Sequence, residues 1–170
     1  ESALNPQARS HMGAVGLWQF MPATGKKYGL EINSLIDERM DPIRSTEAAC
    51  QFLKALYTIF GDWNLVIAAY NCGPGNVNKA IHRAGGKRDF WSIYPFLPKE
   101  PRGYLPIFIA ASYAMNYADV HGICPSMDNF YPVTDTIVSS ERQHLEQIAA
   151  DLNITLEELR RVYPQYARDI

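Results

Sequence analysis

Across the first 120 residues apolar side chains recur at helical spacing, and glycine or proline stops each run. Phe52, Leu53, Leu56, Ile59 and Phe60 share one helical face, and Gly61 ends that stripe. Ser45 reads as its N-cap, with Glu47 in the first turn, where the helix dipole favours a carboxylate. Residues 63–70 are nearly all apolar, which predicts a second, buried helix. Asn71-Cys72-Gly73-Pro74-Gly75 breaks it, and residues 77–83 add a turn or two before Gly85-Gly86. Residues 17–28 read as a short helix. Residues 104–117, with Pro106 tolerated in the first turn, read as another. The segments 37–42 and 98–103 read as a polar turn and a loop. Nothing before residue 120 reads as a sheet, so this part is expected to be all-α.

The texture changes after Gly122. Residues 124–131 carry Pro, Ser, Asp and Asn and read as a linker, and 133–138 have the alternation of a strand. Leu145, Ile148, Ala149 and Leu152 then form one helical stripe, and Leu156, Leu159 and Val162 another. Thr155 and Glu158 have the spacing of a capping box, and Asn153 marks the turn between the stripes. The expected division is a helical domain over 1–121, a linker over 122–132 and a small βαα module over 133–170.

A chain of 170 residues holds one domain, or one with an appendage. With 47% hydrophobic and 20% charged residues it has a globular composition. A net charge of -2 argues against a nucleic-acid partner, which would call for a basic face. Three cysteines, Cys50, Cys72 and Cys124, make no disulfide framework and no zinc spacing, and are expected to be buried free thiols. His11, His82, His121 and His144 are scattered, so no metal site and no cofactor is expected. No apolar run approaches the ~20 residues of a membrane span. The glycines at 13, 16, 73 and 75 suit positive-φ or close-approach positions. No Gly-Lys-Ser/Thr follows them, which excludes a nucleotide loop.

Four separated motifs occur in order. Glu1-Ser2 comes first, with Asn5-Pro6 and Ser10. Gly16-Leu17-Trp18-Gln19 is second. Ala69-Tyr70-Asn71-Cys72-Gly73-Pro74-Gly75-Asn76-Val77 is third, and Leu97-Pro98-Lys99-Glu100-Pro101-Arg102-Gly103-Tyr104 is fourth. Over about residues 1–120 this resembles the catalytic core of the soluble-type lytic transglycosylases, goose-lysozyme-like enzymes that cut bacterial cell-wall glycan. Trp18, Cys72 and Pro101 depart from the commoner Met, Ala and Thr, beside rather than on the residues with family roles. Trp18 and the aromatic segment 90–97 look most like the membrane-bound D-type members, which also carry LysM modules. The tail 133–170 resembles the first three elements of such a glycan-binding module, a partial match.

The resemblance implies a lysozyme-like, all-helical catalytic domain with Glu1 as its catalytic acid. Glu1 would protonate the β-1,4 glycosidic oxygen between N-acetylmuramic acid and N-acetylglucosamine, which requires a pKa raised by an apolar pocket. Leu17, Phe20, Met21 and Tyr70 are the candidates for that pocket. The resulting carboxylate would then accept the proton of the sugar's C6 hydroxyl as O6 attacks C1, leaving a 1,6-anhydro end. Two-carboxylate glycosidases need a second acid; Asp37, Asp41 and Asp62 read more simply as turn or capping residues. Ser10, Gln19, Tyr70, Asn71, Glu100 and Tyr104 are implied substrate-binding or pocket-organising residues. Read without the motifs, they are a turn serine, a surface glutamine, core aromatics and loop polar groups.

The implied partner is peptidoglycan glycan, and the implied location is the bacterial envelope, in the periplasm. Outer-membrane attachment through a lipid on upstream sequence stays open. Residue 1 lies inside a motif, so an upstream helix that aims the acid is expected, and the chain without it is expected to be less active. Two other readings stand beside this one: a glycan-binding or scaffolding protein that has lost activity, and a goose-type hydrolase. Anhydro ends, reducing ends or no cleavage in digested glycan would separate the three.

Overall fold

In the computed structural model, residues 2–124, 139 and 142–169 are described, Glu100 by its backbone alone. The expected strand over 133–138 lies outside them. The chain forms two compact units, Gln51–Asn129 and Glu1–Cys50 with Phe130–Ile170. Both are helical; among the described residues, β-pairing is limited to isolated bridges. No helix among them is long and apolar enough to cross a membrane.

Helix α1 (Pro22–Lys27) lies in the unit that holds residue 1. It is shorter than the 17–28 expected. Val15 pairs with both Arg9 and Phe20, which curls the preceding residues into a loop, and Pro22 then starts the helix. Helix α2 (Pro42–Phe60) runs from this unit into the other. Its start is a correction. Asp41 Oδ1 accepts from the backbone N–H groups of Ile43 and Arg44, and Pro42 occupies the first helical position. Ser45 sits one turn inside, fully buried, and its hydroxyl donates back to the Asp41 carbonyl. Asp41-Pro42 was therefore the start signal within what reads as a turn.

The second unit is packed in the ordinary apolar way. Helix α3 (Trp63–Cys72) begins at Asp62, whose carboxylate accepts from Leu65 N at 3.0 Å. Gly73, at φ 83°, turns the chain straight into α4 (Pro74–Arg83). Helix α5 (Phe90–Ile93), capped by Asp89, leads into a 3-10 turn (Tyr94–Phe96). The expected loop over 98–103 contains a helical turn, α6 (Lys99–Arg102), ahead of α7 (Tyr104–Asn116). Leu56, Leu65, Val66, Val77, Phe90, Ile93, Leu97 and Leu105 meet in one buried cluster. Each fully buried side chain of this size contributes about 1.5–3 kcal/mol.

The tail supplies α8 (Leu145–Asp151) and α9 (Leu156–Val162), packed through Leu145, Ala149 and Leu159. Both halves of the expected capping box are present: Glu158 N donates to Thr155 Oγ1, and Thr155 N donates to Glu158 Oε2. Asn153 takes the positive φ expected of the turn between them. Beyond α9 the chain lies along residues 35–37. Ile36 pairs with Tyr166, Asp37 N donates to Gln165 O at 2.8 Å, and Ala167 N donates to Leu35 O at 2.7 Å.

All three cysteines are free, but the expectation that they are buried fails. Cys50 and Cys124 are exposed and Cys72 is half-buried. Cys50 lies three residues after Glu47 and four before Lys54, on the solvent side of α2.

Candidate functional site

The first two motifs share one loop. Ser2 Oγ donates to the Leu17 carbonyl at 3.0 Å, tying the residue after Glu1 to the Gly16–Gln19 segment. Glu1 itself lies outside the described residues. Ser10 closes a tight turn: its Oγ accepts from Ala14 N at 3.0 Å, and its own N–H donates to Ala14 O at 2.8 Å. The hydroxyl keeps its proton to donate elsewhere. Gln19 holds φ 49°, a left-handed value that a non-glycine residue adopts only when its surroundings enforce it. Its amide nitrogen donates to the carbonyls of Ala8 and Gly16, so the side chain is held at the loop.

What enforces the loop is a residue that sequence reasoning missed. Arg39, 5% exposed, forms a bidentate pair with the buried Asp37 at 2.9 and 2.7 Å. Its remaining terminal nitrogen donates to Gly13 O and Phe20 O, both at 3.0 Å. One guanidinium thus satisfies a carboxylate and both ends of the loop that carries Gln19. Gly16 completes the fit. At φ 88°, a Cβ there would stand 1.7 Å from the Arg39 carbonyl oxygen, so no larger residue enters without moving the backbone. Gly13 and Gly73 also hold positive φ as expected, whereas Gly75 does not and has open space around it. Asp37 is therefore more than a turn residue. The sequence signal was an Asp-x-Arg pair in a polar segment, which looks the same whether solvated or buried.

Among the apolar residues expected around the acid, Phe20 is buried, Leu17 and Tyr70 are half-buried, and Met21 is 43% exposed. Trp18 donates from its indole nitrogen to Thr46 Oγ1 at 2.8 Å, which anchors the motif's departure from the commoner Met.

The third and fourth motifs meet in the other unit. Tyr70 and Asn71 occupy the last turn of α3, and Tyr70 packs its ring on Phe52 with centroids 5.2 Å apart. Asn71, Cys72 and Asn76 face Pro98, Lys99 and Pro101 across a cleft of about 610 Å³. The tight turn at Gly73 and the short helix α6 bring these segments together, although more than twenty residues separate them in the chain. Glu100 belongs to α6 by its backbone, and half-buried Tyr104 opens α7. Burial pushes the Cys72 thiol above its ordinary value, so at neutral pH it lines the cleft as a neutral group.

The transglycosylase SLT domain profile matches residues 1–92, just over half of the chain and three of the four motifs. The membrane-bound lytic murein transglycosylase D of Escherichia coli K12 is 40% identical over 149 residues, covering 85% of this chain and 31% of that protein. The soluble lytic murein transglycosylase of the same organism is 33% identical over 116 residues, 65% of this chain and 18% of that protein. The peptidoglycan transglycosylase gp16 of Escherichia phage T7 is 36% identical over 107 residues, 62% of this chain and 8% of that protein. The chain spans about a third or less of the length of each of these relatives. By the match of that domain over more than half of its length, the chain belongs to the transglycosylase SLT domain family.

Proposed function

We propose that this chain is a peptidoglycan lytic transglycosylase, cleaving the β-1,4 bond between N-acetylmuramic acid and N-acetylglucosamine for cell-wall turnover. The observation that carries the reading is the cleft formed by the third and fourth motifs, with Asn71 on its wall. Membership of the SLT family and relatives named for action on murein support the same substrate. No comparable observation favours the scaffolding or hydrolase alternatives.

In this reading Glu1 delivers its carboxyl proton to the glycosidic oxygen as the C1–O bond breaks. The carboxylate then accepts the proton of the C6 hydroxyl while O6 bonds to C1. The sugar closes on itself as a 1,6-anhydro end, and no water is consumed. Tyr70 donates from its hydroxyl to the acetamide carbonyl as charge develops at C1. Ser10 and Gln19 position the sugar, and Asn71, Glu100 and Tyr104 shape the pocket. The tail over 133–170 acts as a partial LysM-like module for N-acetylglucosamine chains, and the protein works in the periplasm, with the outer membrane as its candidate support.

Glu1→Gln keeps the size of the side chain and removes its proton. Turnover on purified peptidoglycan is expected to fall by about 10²-fold or more, the scale of acid–base work, with glycan binding retained. Activity within threefold of the parent would reject Glu1 as the acid. Mass spectrometry of the digest tests the reaction itself: anhydro-muramic ends are expected, and reducing ends in their place would make the enzyme a hydrolase.

A further inference from the structure

The cleft beside Asn71 continues into a second one. They share Asn76 and Pro98, and the second, about 370 Å³, is bordered by Lys79, Arg83, Phe96 and Arg102. Three cations converge here in a chain whose net charge is -2, and no carboxylate is among the described side chains that line it. Lys79 and Arg83 stand one turn apart on α4, a helix without an acidic residue, and neither forms an ion pair among the described residues. A like-charged pair at this spacing costs helix stability. The helix dipole accounts for Arg83 in the last turn but not for Lys79.

Arg102 reaches the cleft from a different element and is already held in place. Its Nε donates to Leu97 O at 2.9 Å, one terminal nitrogen donates to Pro95 O at 2.8 Å, and the guanidinium lies over the Tyr94 ring. The other terminal nitrogen makes no bond to the described residues, so a planar donor is presented with its orientation set beforehand. Phe96, 40% exposed, adds an apolar surface beside it. Cations from two elements and an aromatic ring lining one cleft suit a short chain that carries carboxylates and small apolar side chains.

We propose that this second cleft binds the free carboxylates of the peptide stem on muramic acid, while the glycan occupies the first. The assignment rests on the peptidoglycan reading above for the identity of its ligand. It makes the peptide substitution of the glycan, and not the sugar alone, a determinant of which strands are held.

The test is calorimetric titration of the whole chain with N-acetylmuramyl-L-alanyl-D-glutamate and, separately, with its diamide, which lacks the charges. Lys79→Gln/Arg83→Gln is expected to weaken binding of the dicarboxylate about tenfold, the scale of a lost charge-assisted hydrogen bond, and to leave the diamide unchanged. Lys26→Gln/Lys27→Gln removes the same charge from α1 and is expected to change neither. Equal losses for both ligands, no loss, or an equal loss in the α1 variant would overturn the proposal. Displacement of the dicarboxylate by inorganic phosphate at equal concentration would also overturn it, in favour of a general anion site. The titration does not depend on turnover. A chain that cleaves glycan but ignores the stem charge refutes this inference alone. A chain that binds the dicarboxylate through Lys79 and Arg83 but never cleaves glycan refutes the proposed function alone.

Discussion

The two regions that carry the motifs are held by opposite means. Tyr70 and Asn71 stand on a helix whose buried face, Leu65, Val66, Ala68 and Ala69, is entirely apolar. Gln19 and Ser10 stand on a loop held by a buried ion pair and backbone carbonyls, with little regular structure of its own. Apolar packing is non-directional and tolerates exchange of one hydrophobe for another of similar volume. A guanidinium that satisfies one buried carboxylate and two carbonyls is harder to exchange, because its loss leaves the Asp37 charge in the interior without its cation. The loop therefore gains a unique shape, including the unfavourable φ at Gln19, at the cost of depending on one side chain.

The sharpest way to break this comparison is Arg39→Met. Loss of the cation strands Asp37 in the interior, and about 3–5 kcal/mol of stability is expected to disappear in denaturant unfolding. Adding Asp37→Leu should recover much of that loss while leaving the loop without its clamp. If the single variant lost under 1 kcal/mol, the ion pair would not be what holds the loop. The apolar half responds differently. Leu65→Ala is expected to cost about 2–5 kcal/mol through the cavity it leaves, whereas Leu65→Met should cost less than about 1.5 kcal/mol. Equal costs for the two would mean that shape matters at that position more than burial.

The smallest effect belongs to the tail. The Arg160 guanidinium holds the Asp169 carboxyl below its usual range, and hydrogen bonds from Thr155 do the same for Glu158. A depressed carboxylate contributes stability that is complete above its unfolded value, about 3.9 for Asp and 4.3 for Glu, and is lost as pH falls through the folded value. The tail is therefore expected to loosen only below about pH 4. Arg160→Gln should bring the Asp169 titration, followed by NMR, back to the ordinary Asp range. An unmoved titration would show that the pair does not persist in solution.

Much of the helical structure was legible in the sequence. The Asp62 cap, the stripe of Phe52, Leu53, Leu56 and Phe60 with its stop at Gly61, the Gly85-Gly86 close and the Thr155–Glu158 box all follow from short-range rules, and the structure contains each, although Ile59, expected on the same face, is 51% exposed. Two of the misses, the burial of Asp37 and of Arg39, share one cause. Both sit in a charged stretch, and charged stretches usually face solvent. Burial of a charge is a property of what packs around it, which no local window records.

The sequence by itself determined the helical class, the order of the four motifs and the family to which they belong, because periodicity, caps and motif spacing are carried by neighbouring residues. Only the tertiary structure decided that Asp37 and Arg39 are interior and that Gly16 admits no Cβ against the Arg39 carbonyl. It alone placed Lys79, Arg83 and Arg102 around one cleft beside Asn71. Each of these depends on groups distant in the chain arriving at the same few ångströms, and the free energy of a charge there is set by those neighbours and not by its own residue type.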